Sequence, residues 1–143
     1  MAEQNLQNHA QRVPVFLVTG LTLMATFIGS LVNLWKSMEH PEGHYSAALI
    51  TVLSLCALLT TFFARTFPLK AQDRAIRAEE NLRHFALTGK LLDSRLAPLQ
   101  IVALRFASDA EFPALSKQAA DNNMAPADIK KAVKSWRADT YRV

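Results

Sequence analysis

Two long stretches without a single charged or histidine side chain set the limits on what this chain can become. One runs from Val13 to Trp35 and the other from Tyr45 to Ala64. At about 1.5 Å of rise per residue, a helix of ~20 residues crosses a hydrocarbon core of roughly 30 Å, so each stretch is long enough to span a bilayer. In a medium without water, a helix lets each segment satisfy its own backbone groups. Burying both rods in a soluble core would take more polar helix surface than the rest of a 143-residue chain supplies. The sequence therefore predicts an all-α membrane protein: an antiparallel two-helix transmembrane hairpin followed by a cytoplasmic helical tail.

The averages conceal this division. Half of the residues are hydrophobic and 20% are charged, but the charges gather mostly beyond residue 64. The predicted organisation is a cytoplasmic N-terminal segment over 1–12, a first span over 13–35, an external loop over 36–44 and a second span over 45–64. A juxtamembrane amphipathic helix over 65–90 and a small helical cytoplasmic domain over 91–143 complete it. The first span is too long for a signal-peptide core of roughly 7–15 residues, and Asn33 and Trp35 stand where processing wants small residues, so it is expected to remain as an anchor. Cys56, the one cysteine, sits in an apolar run and is expected to be a small buried hydrophobe.

Basic residues set the orientation. The connection KSMEHPEGH is short and carries Pro41 and Gly43 as turn formers, which makes the two spans antiparallel neighbours. It offers Lys36 against Glu39 and Glu42, whereas Arg65, Lys70, Arg74, Arg77 and Arg83 crowd the segment after the second span. The positive-inside rule then puts both termini in the cytoplasm and the loop outside, with Arg12 and Arg65 at the inner ends and Trp35 and Tyr45 at the outer headgroups.

Small and weakly polar residues recur at helical spacing on both spans: Thr22, Thr26, Gly29, Ser30 and Asn33 on the first, and Ala47, Thr51, Ser54, Ala57 and Thr61 on the second. Such stripes let backbones approach and hydroxyls bond across. They are expected to pack the spans together, with a larger membrane partner as the other use. Two helices do not enclose a permeation path, and no intramembrane charge marks an ion route.

Beyond the spans, Pro68 is expected to break or kink the chain before a helix that ends at Gly89. Leu69, Ile76, Leu82 and Phe85 form its apolar face, and Arg74, Arg77, Glu80, Arg83 and His84 its charged one. Pro98 then starts a helix whose core set is Leu99, Val102, Ala103 and Phe106. Ser108, Asp109 and Glu111 form the cap of a second, and Pro126 starts a third. In that last helix Ile129, Val133 and Trp136 share one face and Lys130, Lys134 and Arg137 another. With Lys131, Tyr141 and Arg142 nearby, this basic patch favours anionic lipid or an acidic protein surface over nucleic acid, because acids such as Asp128 and Asp139 dilute it.

Little in the chain promises chemistry. His40 and His44 flank Pro41 and Gly43, which spoil the helical register of a metal-binding pair, and no histidine lies within either span to ligate haem. There is no phosphate-binding loop and no nucleophile motif. No cofactor, metal or catalytic residue is expected.

The stretch FFARTFPLKAQDRAIRAEENLRHFALTGKLLDSRL, followed by QIVALRFASDAEF and DIKKAVKSWRADTYRV, resembles a family of small bacterial membrane proteins known only as a domain of unknown function. The resemblance extends to FIGSLVNLWKS in the first span. It implies a bacterial inner-membrane protein with two spans and this tail, and transfers no active residue. The expected role is a non-catalytic accessory or scaffold subunit of a larger membrane complex, such as a respiratory or photosynthetic one, with membrane lipids and other subunits as partners. The alternative is a membrane-tethered regulator whose basic tail binds anionic lipid or a soluble protein. Arg65, Lys70, Arg74, Arg77, Lys130, Lys131, Lys134, Trp136 and Arg137 are the expected contact residues.

Overall fold

A computed structural model of the chain describes residues 5–8, 13–39 and 41–139. Its helices are α1 (Pro14–Ser37), α2 (Pro41–Thr88), α3 (Pro98–Leu104), α4 (Phe112–Asp121) and α5 (Pro126–Ala132). Each begins with a proline in its first two residues, where the missing N–H has no intrahelical partner to lose and the fixed φ suits the first turn. Among the described residues there is no β-strand, only an isolated antiparallel bridge between Ala107 and Trp136.

The packing divides into two units between Phe67 and Pro68. In the first, α1 and the front part of α2 are both long and apolar enough to cross a membrane, and only 6% and 17% of their most apolar stretches are buried. Most of their apolar side chains point outward. Cys56 is exposed among them, so the expectation of a buried thiol fails.

Two boundaries differ from those the sequence suggests. The expected loop over 36–44 shrinks, because α1 runs through Ser37 and α2 starts at Pro41, leaving Met38 and Glu39 as a turn. Pro41 opens a helix there instead of breaking one. Pro68 stands inside α2 without ending it. Proline removes one ladder bond, and the good helix formers that follow it carry the helix on to Thr88. Gly89 then takes φ +72 and donates its N–H to Phe85 O at 2.7 Å, a left-handed stop that glycine adopts without strain.

The second unit packs α3, α4 and α5 around Leu104, Phe106, Phe112 and Ile129, all fully buried. The expected core set of α3 holds in part: Ala103 and Phe106 are fully buried and Val102 is half-buried, but Leu99 is not part of the core. Leu99 is 59% exposed, while Gln100, Ile101, Ala103 and Leu104 are buried. Gln100 faces inward because its amide is engaged at both ends: Oε1 accepts from Ala97 N at 2.7 Å and Nε2 donates to Met124 O at 2.8 Å. α5 is also shorter than expected. It ends at Ala132, and the chain turns back so that Ser108 N donates to Ser135 O at 3.1 Å and Arg137 N to Phe106 O at 2.7 Å.

Candidate functional site

The first candidate surface lies on α1 and the front part of α2. On α1 the less exposed residues are Phe16, Gly20, Leu23, Phe27, Ser30, Leu34 and Ser37, and on α2 they include Ala47, Thr51, Ser54, Leu58, Thr61 and Arg65. Both sets alternate steps of four and three residues, the 3.5-residue repeat of a coiled-coil seam. At its centre Ser30 Oγ lies 3.2 Å from Ser54 Oγ, and Thr51 Oγ1 donates to Ser30 O, also at 3.2 Å. Ala47 is buried beside them. Near the turn, Ser37 Oγ lies 3.1 Å from His44 Nδ1, and at the other end the Arg65 guanidinium lies 5.8 Å from the Phe16 ring centroid.

This corrects part of the predicted packing set. Ser30, Ala47, Thr51 and Ser54 are buried, and Ala57 and Thr61 are half-buried, but Thr22, Thr26, Gly29 and Asn33 are exposed. Thr22 Oγ1 and Thr26 Oγ1 donate back to Val18 O at 2.9 Å and Thr22 O at 2.8 Å. A threonine hydroxyl satisfied by its own helix has no need of a neighbour. The result is a second stripe on α1, Thr22, Thr26, Gly29 and Asn33, with a similar four-and-three spacing and facing outward. Among the described residues, no hydrogen bond takes up the Asn33 amide.

The tail carries a charged network that the sequence pattern places on the wrong side of α2. Ile76, Glu80 and Arg83 follow one another at i, i+4 and i+7, and that stripe turns inward, while Leu82 and Phe85 of the expected apolar face are exposed. Glu80 is 5% exposed. Arg83 donates from Nη1 to Glu80 Oε2 at 2.9 Å, from Nε to Asp109 Oδ1 at 2.7 Å and from Nη2 to Ala107 O at 2.7 Å. Its guanidinium also stacks 4.4 Å from the Phe112 ring centroid. Arg137 approaches the other oxygen of Glu80 at 3.7 Å, and Arg105 pairs with Asp139 at 2.9 Å. A polar cavity of about 90 Å³ lies among Ile76, Glu79, Glu80, Arg105, Arg137 and Asp139. It is well below the roughly 300 Å³ of an ordinary small-molecule site. Glu80, Asp109 and Asp139 each have an arginine opposite, so the arrangement binds the tail together.

Glu111 is a second inward-acting acid. The N-cap of α4 is Glu111 itself, with no side-chain cap bond, in place of the expected Ser108 or Asp109; its carboxylate accepts Ser108 N at 3.2 Å and also Ser135 N and Lys134 N, both at 3.1 Å. That fixes residues 134–135 against the start of α4, a long-range role that no local pattern reveals. His84, expected on the solvated face, sits 2.8 Å from Lys90 O through Nδ1, with its ring 5.7 Å from that of Phe112.

The predicted basic patch is therefore dispersed. Trp136 packs on the core with its ring 5.0 Å from that of Phe106, and the Lys130 ammonium lies 5.6 Å from the same ring. Lys131 pairs with Asp128 at 3.1 Å, Lys134 lies beyond the end of α5, and Arg137 faces Glu80. Arg12, His40, Tyr141 and Arg142 lie outside the described residues. Among the described residues, no group of three histidine, cysteine or acidic side chains is arranged to hold a metal ion.

Lys70, Arg74 and Arg77 are exposed, and the two arginines line an open groove of about 460 Å³ along α2. Leu92, Leu96 and Ile101 supply its apolar lining, and Asn81 a polar edge. Asn81 Oδ1 accepts from Leu92 N at 2.9 Å, which leaves its amide nitrogen as a donor. At the end of the groove Asp93 and Arg95 form a chelated pair at 2.6 Å, with Asp121 2.9 Å from the same guanidinium. The side-chain and backbone hydrogen bonds from Arg95 hold the Asp93 carboxyl down at about 2.

Compared with known proteins, residues 1–143 match throughout a family described as of unknown function, DUF6526. No curated protein and no solved structure matches the chain.

Proposed function

Because the chain belongs to DUF6526, a family of unknown function, we propose its role from its own geometry: a non-catalytic accessory or scaffold subunit that crosses the membrane twice and docks onto a larger membrane protein complex. The observation that carries this is the exposed second stripe on α1. A helix hairpin that packs only on itself has no use for an outward stripe of small residues, which mark helix contacts in membranes, leading up to an amide just inside the headgroup level of Trp35. Asn33 with Gly29, Thr26 and Thr22 offers a further membrane helix a close approach and a hydrogen-bonding group.

Spanning itself is supported by the outward-facing apolar side chains of α1 and α2, since a core helix of a soluble protein would have them buried. The contacts of Ser54 and Thr51 with Ser30 support α1 as a retained partner of α2 in an antiparallel hairpin. Lys70, Arg74 and Arg77 after the second span, against Glu39 in the turn and Glu42 at the start of α2, support termini in the cytoplasm of a bacterial inner membrane. In the tail, Arg83, Arg95, Arg105 and Arg137 are engaged in ion pairs, which supports lipid and protein partners over nucleic acid.

A photo-crosslinking residue at Gly29 or Asn33, in the full chain at native expression, tests this. We expect an adduct with another membrane protein, absent when the same residue replaces Leu23 in the seam. Recovery as a free monomer in gentle detergent, with no adduct from either outward position, sinks the docking role. A C-terminal reporter active outside the cytoplasm sinks the orientation.

A further inference from the structure

We propose that the groove between α2 and residues 92–101 binds the charged end of an amphiphilic anion: a phosphate or carboxylate group carried on an apolar chain. In the tail the arginines fall into two kinds. Arg83, Arg95, Arg105 and Arg137 each have an acid within 4.0 Å. Arg74 and Arg77 have none among the described residues, and both line this groove. Three residues apart on one helix, they are neighbours across a turn, and the planar fork of a guanidinium suits a phosphate or carboxylate.

The groove asks for more than a bare ion. Leu92, Leu96 and Ile101 line it, and its volume of about 460 Å³ falls in the range of small-molecule sites, roughly 300–1,000 Å³. Asp93, the acid beside it, is tied to Arg95 at 2.6 Å and forms no ion pair with Arg74 or Arg77 among the described residues. The Asn81 amide nitrogen, which takes part in no hydrogen bond among the described residues, adds a neutral donor to the lining. Arginines and apolar side chains lining one groove match a ligand with a head and a chain.

The inference rests on the membrane-anchored reading only for the source of the ligand, a lipid headgroup or a free amphiphile. The full chain is reconstituted in phosphatidylcholine discs and titrated calorimetrically with hexyl phosphate, inorganic phosphate and hexanol, with empty discs as the blank. We expect saturable binding of hexyl phosphate, at least tenfold tighter than either fragment. The double variant Arg74→Gln/Arg77→Gln is expected to lose at least tenfold, and Arg74→Lys/Arg77→Lys to fall between, with thermal melts unchanged because both side chains are exposed.

Wild-type affinity in the glutamine variant, or equal affinity for inorganic phosphate, overturns the proposal. In discs containing phosphatidic acid, loss of hexyl phosphate binding identifies the bilayer headgroup as the natural occupant. Retained binding identifies a free amphiphile, and both outcomes support the site. A chain that stays in water and never enters discs breaks the spanning reading instead, and the same titration, with the same two overturning results, is then run on the soluble chain.

Discussion

The two units hold themselves together by opposite uses of polar groups. In the α1–α2 seam, each hydroxyl at the contact is first satisfied within its own helix: Ser30 bonds Phe27 O at 2.7 Å, Thr51 bonds Ala47 O at 2.9 Å and Ser54 bonds Thr51 O at 2.9 Å. Each hydroxyl has a single hydrogen, so the contacts between helices share or alternate with these bonds and are not independent additions. In the tail, Glu80, Arg83 and Glu111 find their partners on other parts of the fold or across a turn, and two of them are charges with side chains no more than 11% exposed. Removing a partner from the seam leaves nothing unsatisfied, whereas removing one from the tail strands a charge. Polar contacts are thus optional in the apolar unit and obligatory in the tail.

The largest effect belongs to the tail core. Phe112 is fully buried and carries both the Arg83 stack and the His84 edge contact. Phe112→Ala is expected to cost about 3–5 kcal/mol, the usual loss for a buried phenylalanine. Denaturant unfolding followed by Trp136 fluorescence, in a Trp35→Phe background, measures it. A loss below ~1 kcal/mol would mean that the tail lacks a packed core.

Arg83→Met comes next and bears directly on the contrast. It leaves Glu80 buried with only Arg137 at 3.7 Å, and breaking a buried pair from one side costs roughly 3 kcal/mol or more. Adding Glu80→Gln should return much of that loss, because no unpaired charge then remains. If the double variant is as unstable as the two single losses summed, the stranded-charge explanation is wrong. The seam should respond far less. Ser54→Ala removes one hydroxyl contact, for which membrane helices show about 0.6 kcal/mol. Energy transfer from Trp35 to a probe on the exposed Cys56, during a detergent-driven unfolding series, reads the change. A loss above ~2 kcal/mol would make the seam as dependent on polar contacts as the tail.

Legibility in the sequence follows the same divide. The apolar helices are written in composition: absence of charge over a long run is a one-dimensional signal, and the two helices appear where it occurs. Which side of α1 meets its neighbour is harder to read, because polarity points to Thr22 and Asn33 while the 3.5-residue period selects Leu23, Phe27 and Ser30. The tail misleads in another way. Glu80 and Arg83 look like surface charges on an isolated helix, and only the fold brings Ala107, Asp109 and Arg137 to them. Gln100 and Glu111 share this property, since each has a partner more than twenty residues away. The groove is half legible: Arg74 and Arg77 are visible as cations, but not the lining that Leu92, Leu96 and Ile101 give them.

Asp93 supplies the smallest effect and a limit to the comparison. It is a tail carboxylate in a chelated ion pair, yet it lies at the surface, so water and salt screen what Glu80 feels in full. Its folded pKa, about 2, lies below the ordinary carboxyl value, so the unfolded chain takes up its proton first as pH falls. The stabilisation from Asp93 is therefore whole above about pH 4 and fades as the pH drops towards 2. Asp93→Asn should lower the tail melting temperature slightly at pH 7, and the gap from wild type should close between those limits. Added salt should narrow the gap at neutral pH while leaving the loss from Arg83→Met nearly unchanged. A salt-insensitive gap for Asp93→Asn as large as that for Arg83→Met would show that burial is not what separates strong from weak polar contacts in this unit.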